Sequence, residues 1–308
     1  MSDEKASLEK LSSGQFGLVS EAQLERGGFT RSAIRWAVDD RRLVKVFGTV
    51  YRLVGSEESW NQQALTAVLI HGKGAALTHA TAAMLWRISG FANSKAIHVT
   101  PAARMNIKLP KGVVRHRLTR AFQIVERGEL PTTTLARTLV DIAPDLDEEA
   151  LEIAIDSAQY RRPFLEQELE EDIGTSRRRF IPGGQRIIDL LDLRAGITTE
   201  SPLETKVRRA LRKQKVSAPE LQFDIFDNGR FVIRADFAWP RHRVVLHCDG
   251  YTWHGKRKQF DLDAEQRSKL SALDWQSLYV TDRTFKSGEW LHSLARTLKL
   301  REPQLKLL

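Results

Sequence analysis

The sequence predicts an α/β protein with an N-terminal unit of three helices and a β-hairpin, an α+β middle region, and a C-terminal α/β domain with a mixed sheet. Three observations predict this arrangement. Apolar residues follow helical spacing only in short segments, β-branched and aromatic runs alternate with glycine-containing turns, and the composition changes at Thr199. A length of 308 residues also corresponds to two domains, or three, at roughly 150 residues each.

The first unit is predicted to span residues 1–56. Ser20 and Thr30 are placed to cap the second and third helices, and residues 43–54 carry β-branched and aromatic side chains on both sides of Gly48, which predicts a hairpin. Three helices followed by a hairpin is the order of a winged helix-turn-helix. Protein contacts are the alternative use of such a unit. For DNA binding, the side chains expected at a groove or at phosphates are Arg31, Ser32, Arg35, Arg41, Arg42 and Lys45.

Residues 57–162 are predicted to form the α+β middle domain. Helices are expected at 77–88, 132–143 and 147–158, and strands at 96–101 and 112–117. His79, His98 and His116 fall on different elements, which favours structural or surface roles for them. Residues 163–200 are predicted to be a connector, because an acidic run, an arginine triplet and a ProGlyGly turn follow one another, and a short helix is expected at 187–193.

The last domain is predicted to span residues 201–308. Ser201 is placed to cap a helix that opens with Pro202, and this helix is strongly basic. Its DNA-backbone contacts are expected from Arg208, Arg209 and Arg212. Strand-like runs then occupy 220–226, 230–239 and 243–249, with turns at 227–229 and 240–242.

The chemistry is expected at the ends of these strands. Asp236 stands in an otherwise apolar strand end, where a carboxylate is costly unless something pairs with it. The hairpin is expected to bring it to one sheet edge with His247, Asp249 and His254. Carboxylates bind a hard cation such as Mg²⁺, and a nearby histidine can carry a proton, as phosphodiester hydrolysis requires.

Two residues beside this segment have open roles. Glu204 lies in the first turn of the basic helix, where it either complements the helix dipole or helps to order a metal site. Trp253 adjoins His254, which makes it the tryptophan most suited to DNA contact, although tryptophans are more often core residues. Both interpretations of each residue remain open from the sequence.

The N-terminal run GLV…GGFTRSAI…RRLVKV…GTVYR, within residues 17–52, resembles the winged-helix domain of AbiEi-type antitoxins. The order of elements after it resembles the region that follows the winged helix in AbiEi-like proteins. This resemblance implies a DNA-binding regulator or antitoxin.

The C-terminal run RADFAWPRHRVVLHCDGYTWHG at 234–255, with FDLD…RSKL…DWQSLYVT at 260–281, is similar to the Vsr-like endonucleases of the PD-(D/E)XK superfamily. The resemblance implies a restriction-endonuclease-like fold and a set of site residues. It makes Asp236 the metal-binding aspartate, the Cys248 main-chain carbonyl a further ligand and His254 the proton carrier. Asp249 would follow the carbonyl ligand, and Glu204 would be the helix glutamate.

The sequence departs from that pattern at several positions. His247 stands where many relatives have Glu, and histidine is a weaker ligand for Mg²⁺ but a good one for Mn²⁺. Asp249 stands in place of the motif lysine, and Tyr251 stands where the Vsr-like group has Cys. A chain whose one cysteine is Cys248 cannot form that group's structural zinc site.

Charge and composition favour the same functional class. A net charge of +9 favours polyanionic partners, nucleic acid ahead of an anionic membrane surface, and the alternative is a generally basic soluble protein without such a partner. The sequence shows no apolar stretch for a membrane span or a secretory signal, so we expect a cytoplasmic protein without a membrane partner. We expect a DNA endonuclease that uses Mg²⁺ or Mn²⁺; the alternative is a non-catalytic AbiEi-like regulator with a degenerate nuclease fold. A cognate toxin, self-association, and roles in phage defence or repair stay open.

Overall fold

The computed structural model is an α/β structure. It describes residues 2–103, 106–117, 122–162, 164–174, 181–194, 199–214, 216–249 and 257–302. The chain divides into two compact units, Met1–Leu191 and Asp192–Leu308, which are described separately. None of the helices in the described ranges has both the length and the apolar character that crossing a bilayer requires.

Nine α-helices are described in the first 194 residues, spread over the predicted N-terminal unit, middle domain and connector. They are α1 (Ser2–Ser12), α2 (Glu21–Arg26), α3 (Arg31–Asp39), α4 (Trp60–Leu69), α5 (His79–Leu85), α6 (Leu135–Ile142), α7 (Glu148–Arg161), α8 (Leu165–Gly174) and α9 (Gly184–Arg194). The strands are β1 (Leu18–Ser20), β2 (Leu43–Phe47), β3 (Val50–Leu53), β4 (Ala76–Leu77), β5 (Ile97–Thr100), β6 (Val113–Arg115), β7 (Ile124–Arg127) and β8 (Leu130–Thr133).

The first part of unit 1 contains the predicted helices and hairpin, with an additional strand. Ser20 accepts a hydrogen bond from the Gln23 N–H while the Gln23 side chain returns to the Ser20 N–H, so a capping box starts α2. Thr30 caps α3 in the same way through the Ala33 N–H. β1 pairs with β3, which gives the sheet order β1-β3-β2. A core that includes Leu24, Ile34 and Leu43 holds these elements together.

The middle part contains a five-stranded mixed sheet of order β6-β5-β4-β8-β7. The predicted strands at 96–101 and 112–117 are confirmed as β5 and β6, which pair in parallel. Two predicted helices start too early. Leu77 pairs with Val99 and with Thr132, so these residues belong to the sheet, and the helices begin only at α5 and α6. The β-branched threonines before α6 favour the strand, and Thr134 then caps the helix.

The segment predicted as a connector contains two packed helices. The short helix predicted at 187–193 is confirmed as α9, and α8 was not predicted. Leu165, Leu169 and Ile173 of α8 and Ile187 of α9 are buried in the core built by α6 and α7. The acidic residues of α8 lie on its outer side. The apolar residues on its inner side follow helical spacing and anchor the segment to unit 1.

Unit 2 has one mixed sheet with helices against it. After helix α10 (Pro202–Arg212), its elements are β9 (Glu220–Asp227), β10 (Arg230–Trp239), β11 (Val244–Asp249), α11 (Arg257–Ala272), β12 (Gln276–Thr281), α12 (Asp282–Ser287) and α13 (Glu289–Leu300). The strand order is β12-β11-β10-β9, with β11 and β12 parallel and the other pairs antiparallel. The mixed sheet and the three predicted strands are confirmed. Leu203 and Val207 of α10 pack with Phe237 and Leu246 of the sheet.

Candidate functional site

The site is built on the ends of β10 and β11. Their antiparallel register pairs Phe237 with Leu246, so Asp236 and His247 are the next opposing positions. The Cys248 N–H donates a 2.7 Å hydrogen bond to the Asp236 Oδ2. The strand pair that the sequence predicted therefore brings Asp236 against the main chain of Cys248, and Asp249 ends the same strand.

Glu204 joins this group from the first turn of α10. Its N–H is capped by Ser201, and its side chain is buried, with 5% exposure. The Glu204 Oε2 accepts a 2.9 Å hydrogen bond from the Glu200 N–H and a 3.1 Å hydrogen bond from the Gln222 Nε2. The Gln222 side chain also hydrogen-bonds Asp236. We call Glu204, Gln222 and Asp236 the carboxylate cluster.

A β-bulge sets which residue of β9 faces Asp236. The register between β9 and β10 shifts by one residue between Phe231 and Ile233, so the pairs beyond it include Ala235 with Phe223 and Phe237 with Leu221. Gln222 is therefore the residue opposite Asp236. Without the extra residue, Leu221 would take that place and neither carboxyl group would receive the amide.

Both carboxyl groups in the cluster are shifted toward their neutral form. The pKa of Glu204 is raised to about 6, mainly by burial and also by the nearby Asp236 charge, while the hydrogen bond from the Glu200 N–H opposes the rise. Burial also raises the pKa of Asp236, and Glu200 adds to this, while the Cys248 N–H and Gln222 oppose it. A buried and a half-buried acid that share one amide favour a positive charge beside them.

The last residues of β11, from His247 to Asp249, differ in exposure. His247 is buried, and its ring stacks on Tyr279 at a centroid distance of 5.3 Å. Its Nε2 has no hydrogen-bond partner among the described residues. Burial lowers the pKa of His247, while the charge of the exposed Asp249 raises it. His247 is therefore a neutral imidazole at pH 7. Burial also raises the pKa of the Cys248 thiol, which makes it a poor nucleophile.

Few side chains at this site are placed to bind a metal ion. Among the described residues, no group of three or more His, Cys, Asp and Glu side chains converges with metal-binding geometry. Asp236 contacts the Cys248 N–H, whereas the ligand expected from the sequence is the Cys248 main-chain carbonyl, so that role stays a prediction. His254 and Trp253 lie outside the described residues.

The side chains expected to bind DNA from the first part of unit 1 are mostly at the surface. Arg31, Ser32, Arg35, Arg41 and Lys45 are exposed. Arg42 is half-buried, lies 4.0 Å over the Trp36 ring and pairs with Asp40 at 3.0 Å. The Arg31 Nε lies 3.6 Å from the Glu25 Oε1, so the exposed arginines and lysine of α3 and β2 are bordered by acidic side chains of α2.

The three arginines of α10 have different exposures. Arg212 is exposed and Arg209 is half-buried, but Arg208 is buried, with 7% exposure. Arg208 has too little accessible surface to reach a DNA backbone as placed, because it lies on the inner side of the helix with Leu211 and Val207.

A second group of titratable side chains was not expected from the sequence. His79 begins α5, His98 lies on β5, and His116 follows β6, yet the three rings meet. The His79 and His116 rings stack with centroids 3.5 Å apart, and the His98 Nδ1 lies 2.7 Å from the His116 Nε2. The Thr78 hydroxyl donates to Asp141 at 2.9 Å, so it accepts from the His79 Nδ1–H at 3.1 Å. We call these three residues the histidine cluster.

The histidine cluster is held in its neutral form. The pKa of His79 is lowered to about 3, mainly by burial and also by the charges of His116, His98 and Arg137. Burial also lowers the pKa of His98 and of His116, and Asp145 opposes this at both. A proton added to one ring is therefore disfavoured by its neighbours.

Gln222 and the histidine cluster are the groups that sequence reasoning missed. The signal for Gln222 was a polar residue within the strand-like run 220–226. Its position opposite Asp236 depends on the bulge, which the sequence does not reveal. For the histidines, the signal was their number in one region. Their convergence depends on the parallel pairing of β5 and β6, which local patterns do not specify.

Comparison with known proteins gives limited guidance. No family model matches the chain. The chain is 28% identical over 275 residues to an uncharacterized protein of Mycobacterium tuberculosis, called MT2308 in strain CDC 1551 / Oshkosh and Rv2248 in strain ATCC 25618 / H37Rv; the match covers 87% of this chain and 97% of each relative. The crystal structure of the RV2827C protein from M. tuberculosis is similar, with a TM-score of 0.39, 17% identity and coverage of 73% of this chain and 89% of that chain. A likeness at that TM-score contributes nothing to assigning the site.

Proposed function

We propose that this protein is a DNA-binding, metal-dependent endodeoxyribonuclease that nicks or cuts DNA by phosphodiester hydrolysis. In this proposal, residues 1–56 form a winged helix that targets DNA, and residues 201–308 form a Vsr-like domain of the PD-(D/E)XK type. The observation that carries the proposal is the pairing of buried Glu204 with half-buried Asp236 through Gln222 near the strand ends.

The physical chemistry of this pair supports a cation site. Burial disfavours both carboxylate charges, and neither pairs with a basic side chain in the hydrogen bonds and ion pairs described above. A divalent cation offsets that cost, so the residues fit Mg²⁺ or Mn²⁺. Asp236 and the Cys248 main-chain carbonyl would hold it. When bound, it would polarise the scissile phosphate and lower the pKa of a water molecule.

The remaining residues of the segment have supporting roles in the proposal. Asp249, exposed at the strand end, would accept a proton or orient water near the phosphate. His247, neutral and with its Nε2 directed to no described partner, would favour Mn²⁺ over Mg²⁺ if it became a ligand. His254 would carry a proton, a role taken from the resemblance alone.

The test of cleavage is a panel of plasmid, nicked, mismatched and branched DNA with Mg²⁺ or Mn²⁺. We expect Asp236→Ala to lower the cleavage rate at least 100-fold while DNA affinity stays within about twofold, since it removes the metal carboxylate. Asp224→Ala is the matched control, because Asp224 lies on the same sheet but pairs with exposed Arg234. Cleavage at wild-type rates by Asp236→Ala would refute the proposal, as would a wild type that cuts nothing.

DNA targeting by the first unit is tested by salt dependence. We expect the double change Arg31→Ala with Arg35→Ala to weaken DNA binding about tenfold and to reduce the slope of log K against log salt by about 2, because two phosphate contacts are lost. Lys95→Ala, an exposed cation elsewhere in unit 1, is the control. Fluorescence anisotropy at several salt concentrations measures both. An unchanged slope would mean that α3 does not contact phosphates.

A second candidate function is a DNA-binding regulator, of the AbiEi-like antitoxin kind, whose nuclease fold does not cut. Burial of His247 against Tyr279, at a position where a carboxylate would be the better Mg²⁺ ligand, favours this candidate. It predicts DNA binding with no cleavage in any member of the panel. A cognate toxin or a second copy of the chain would then be its protein partner.

A further inference from the structure

Gln222 has an unusual place in the carboxylate cluster. It lies on β9, opposite Asp236 because of the bulge, and its side-chain amide contacts two carboxyl groups from different elements. Its Nε2 is 3.1 Å from the Glu204 Oε2. An amide NH₂ has two hydrogens, so one side chain can donate to both acids at once.

We propose that Gln222 is a positioning residue, whose amide holds the carboxyl groups of Glu204 and Asp236 in the arrangement that receives a divalent cation. The claim that this arrangement receives a cation rests on the proposed function. The claim that Gln222 holds the two carboxyl groups can be tested without metal or DNA.

The chemistry of the amide explains why this residue type suits the place. A lysine or arginine there would also donate hydrogen bonds, but its charge would neutralise the pair and compete with a cation. A glutamine donates without adding charge, so the two acids are held together and keep their negative charge for a metal ion. A leucine, which the unbulged register would supply at position 221, could donate nothing.

The first experiment measures the coupling between Gln222 and Glu204 in thermal unfolding, with EDTA present. Gln222→Met keeps the length of the side chain and removes the donors. We expect it to lower the Tm by about 3 °C, since two buried carboxyl groups lose a hydrogen-bond donor. In a Glu204→Met background the same change should have about half that effect, because only Asp236 is then left to lose a donor. Equal effects in the two backgrounds would overturn the proposal.

The second experiment measures Mn²⁺ binding to the full chain by the EPR signal of free Mn²⁺. We expect Gln222→Met to weaken Mn²⁺ binding about tenfold, as losses of residues that orient metal ligands do. Gln276→Met, at an exposed glutamine on β12 of the same sheet, should bind like the wild type. Equal affinity of Gln222→Met and wild type would overturn the metal-positioning role. A wild type that binds no Mn²⁺ would instead refute the proposed function, and the Tm measurement would still decide whether Gln222 holds the acids.

Discussion

The carboxylate cluster of unit 2 and the histidine cluster of unit 1 respond to burial in opposite directions. In the first, burial raises the pKa of Glu204 to about 6. In the second, burial lowers the pKa of His79 to about 3. The same loss of water favours the neutral form of each group. The two clusters differ in their partners. The His98 and His116 rings hydrogen-bond each other, whereas the two carboxyl groups share one amide, that of Gln222.

The largest effect is expected from the histidine cluster in acid. The folded pKa of His79 is below its ordinary 6.5, so its contribution is fully present above pH 6.5 and is lost as the pH falls toward about 3. We expect His79→Asn to reduce the stability lost between pH 7 and pH 4 by about 3 kcal/mol. Asparagine tolerates the left-handed backbone at this position, where φ is 48°. Urea unfolding at each pH measures the effect.

The matched control for that measurement is His292→Asn, at an exposed histidine on α13. It should lose as much stability in acid as the wild type. If His79→Asn did the same, the three rings would not be a proton-sensitive group, and the contrast between the two clusters would fail.

A smaller effect of opposite sign is expected from the carboxylate cluster. The folded pKa of Glu204 is above its ordinary 4.5, so the contribution of this group is fully present below pH 4.5 and is lost as the pH rises through about 6. With EDTA present, we expect Glu204→Gln to gain about 2 kcal/mol of stability relative to wild type on going from pH 4.5 to pH 8. Glu220→Gln, at an exposed position on β9, is the control. A gain that did not depend on pH would exclude a raised pKa as the cause.

The smallest of the three effects concerns the hydroxyl that anchors the histidine cluster. Thr78→Val keeps the shape of a fully buried side chain and removes the bridge between His79 and Asp141. We expect a loss of about 1–2 kcal/mol at pH 7 by urea unfolding. Thr100→Val is the comparison, because the Thr100 hydroxyl makes only a 3.5 Å contact with the Pro101 carbonyl. Equal losses in the two variants would show that the bridge adds nothing.

The local signals in the sequence predicted most elements of the fold. Alternation and turn residues located β10 from Arg230 to Trp239 at both ends, and capping residues located the starts of α2, α3 and α10. The same signals failed before α6, where threonines can begin a helix or end a strand. Pairing with β7 decides between them, and that pairing is not a local property.

The candidate site could be predicted in part for the same reason. Asp236 and Cys248 are joined by a short hairpin, so their proximity follows from the turn at 240–242. Gln222 depends on a one-residue register shift in the other hairpin, and a pattern of apolar residues does not reveal such a shift. The histidines needed three elements far apart in the chain to be brought together. The positions of Gln222 and of the histidine cluster both depend on strand pairing, which residue type alone does not predict.

The position of β9 at the end of the strand order has a consequence for how the site is reached. Among the described strands, β9 pairs only with β10, so it can separate from the sheet without breaking the bonds between β10 and β11. Such edge openings need less free energy than global unfolding, and the amide hydrogens of β9 should exchange with deuterium faster than those of β11. Each opening would carry Gln222 away from both acids. The exposure of Glu204, which is buried in the closed sheet, would then increase with the fraying of one strand, and a ligand that holds this strand in place would slow the exchange.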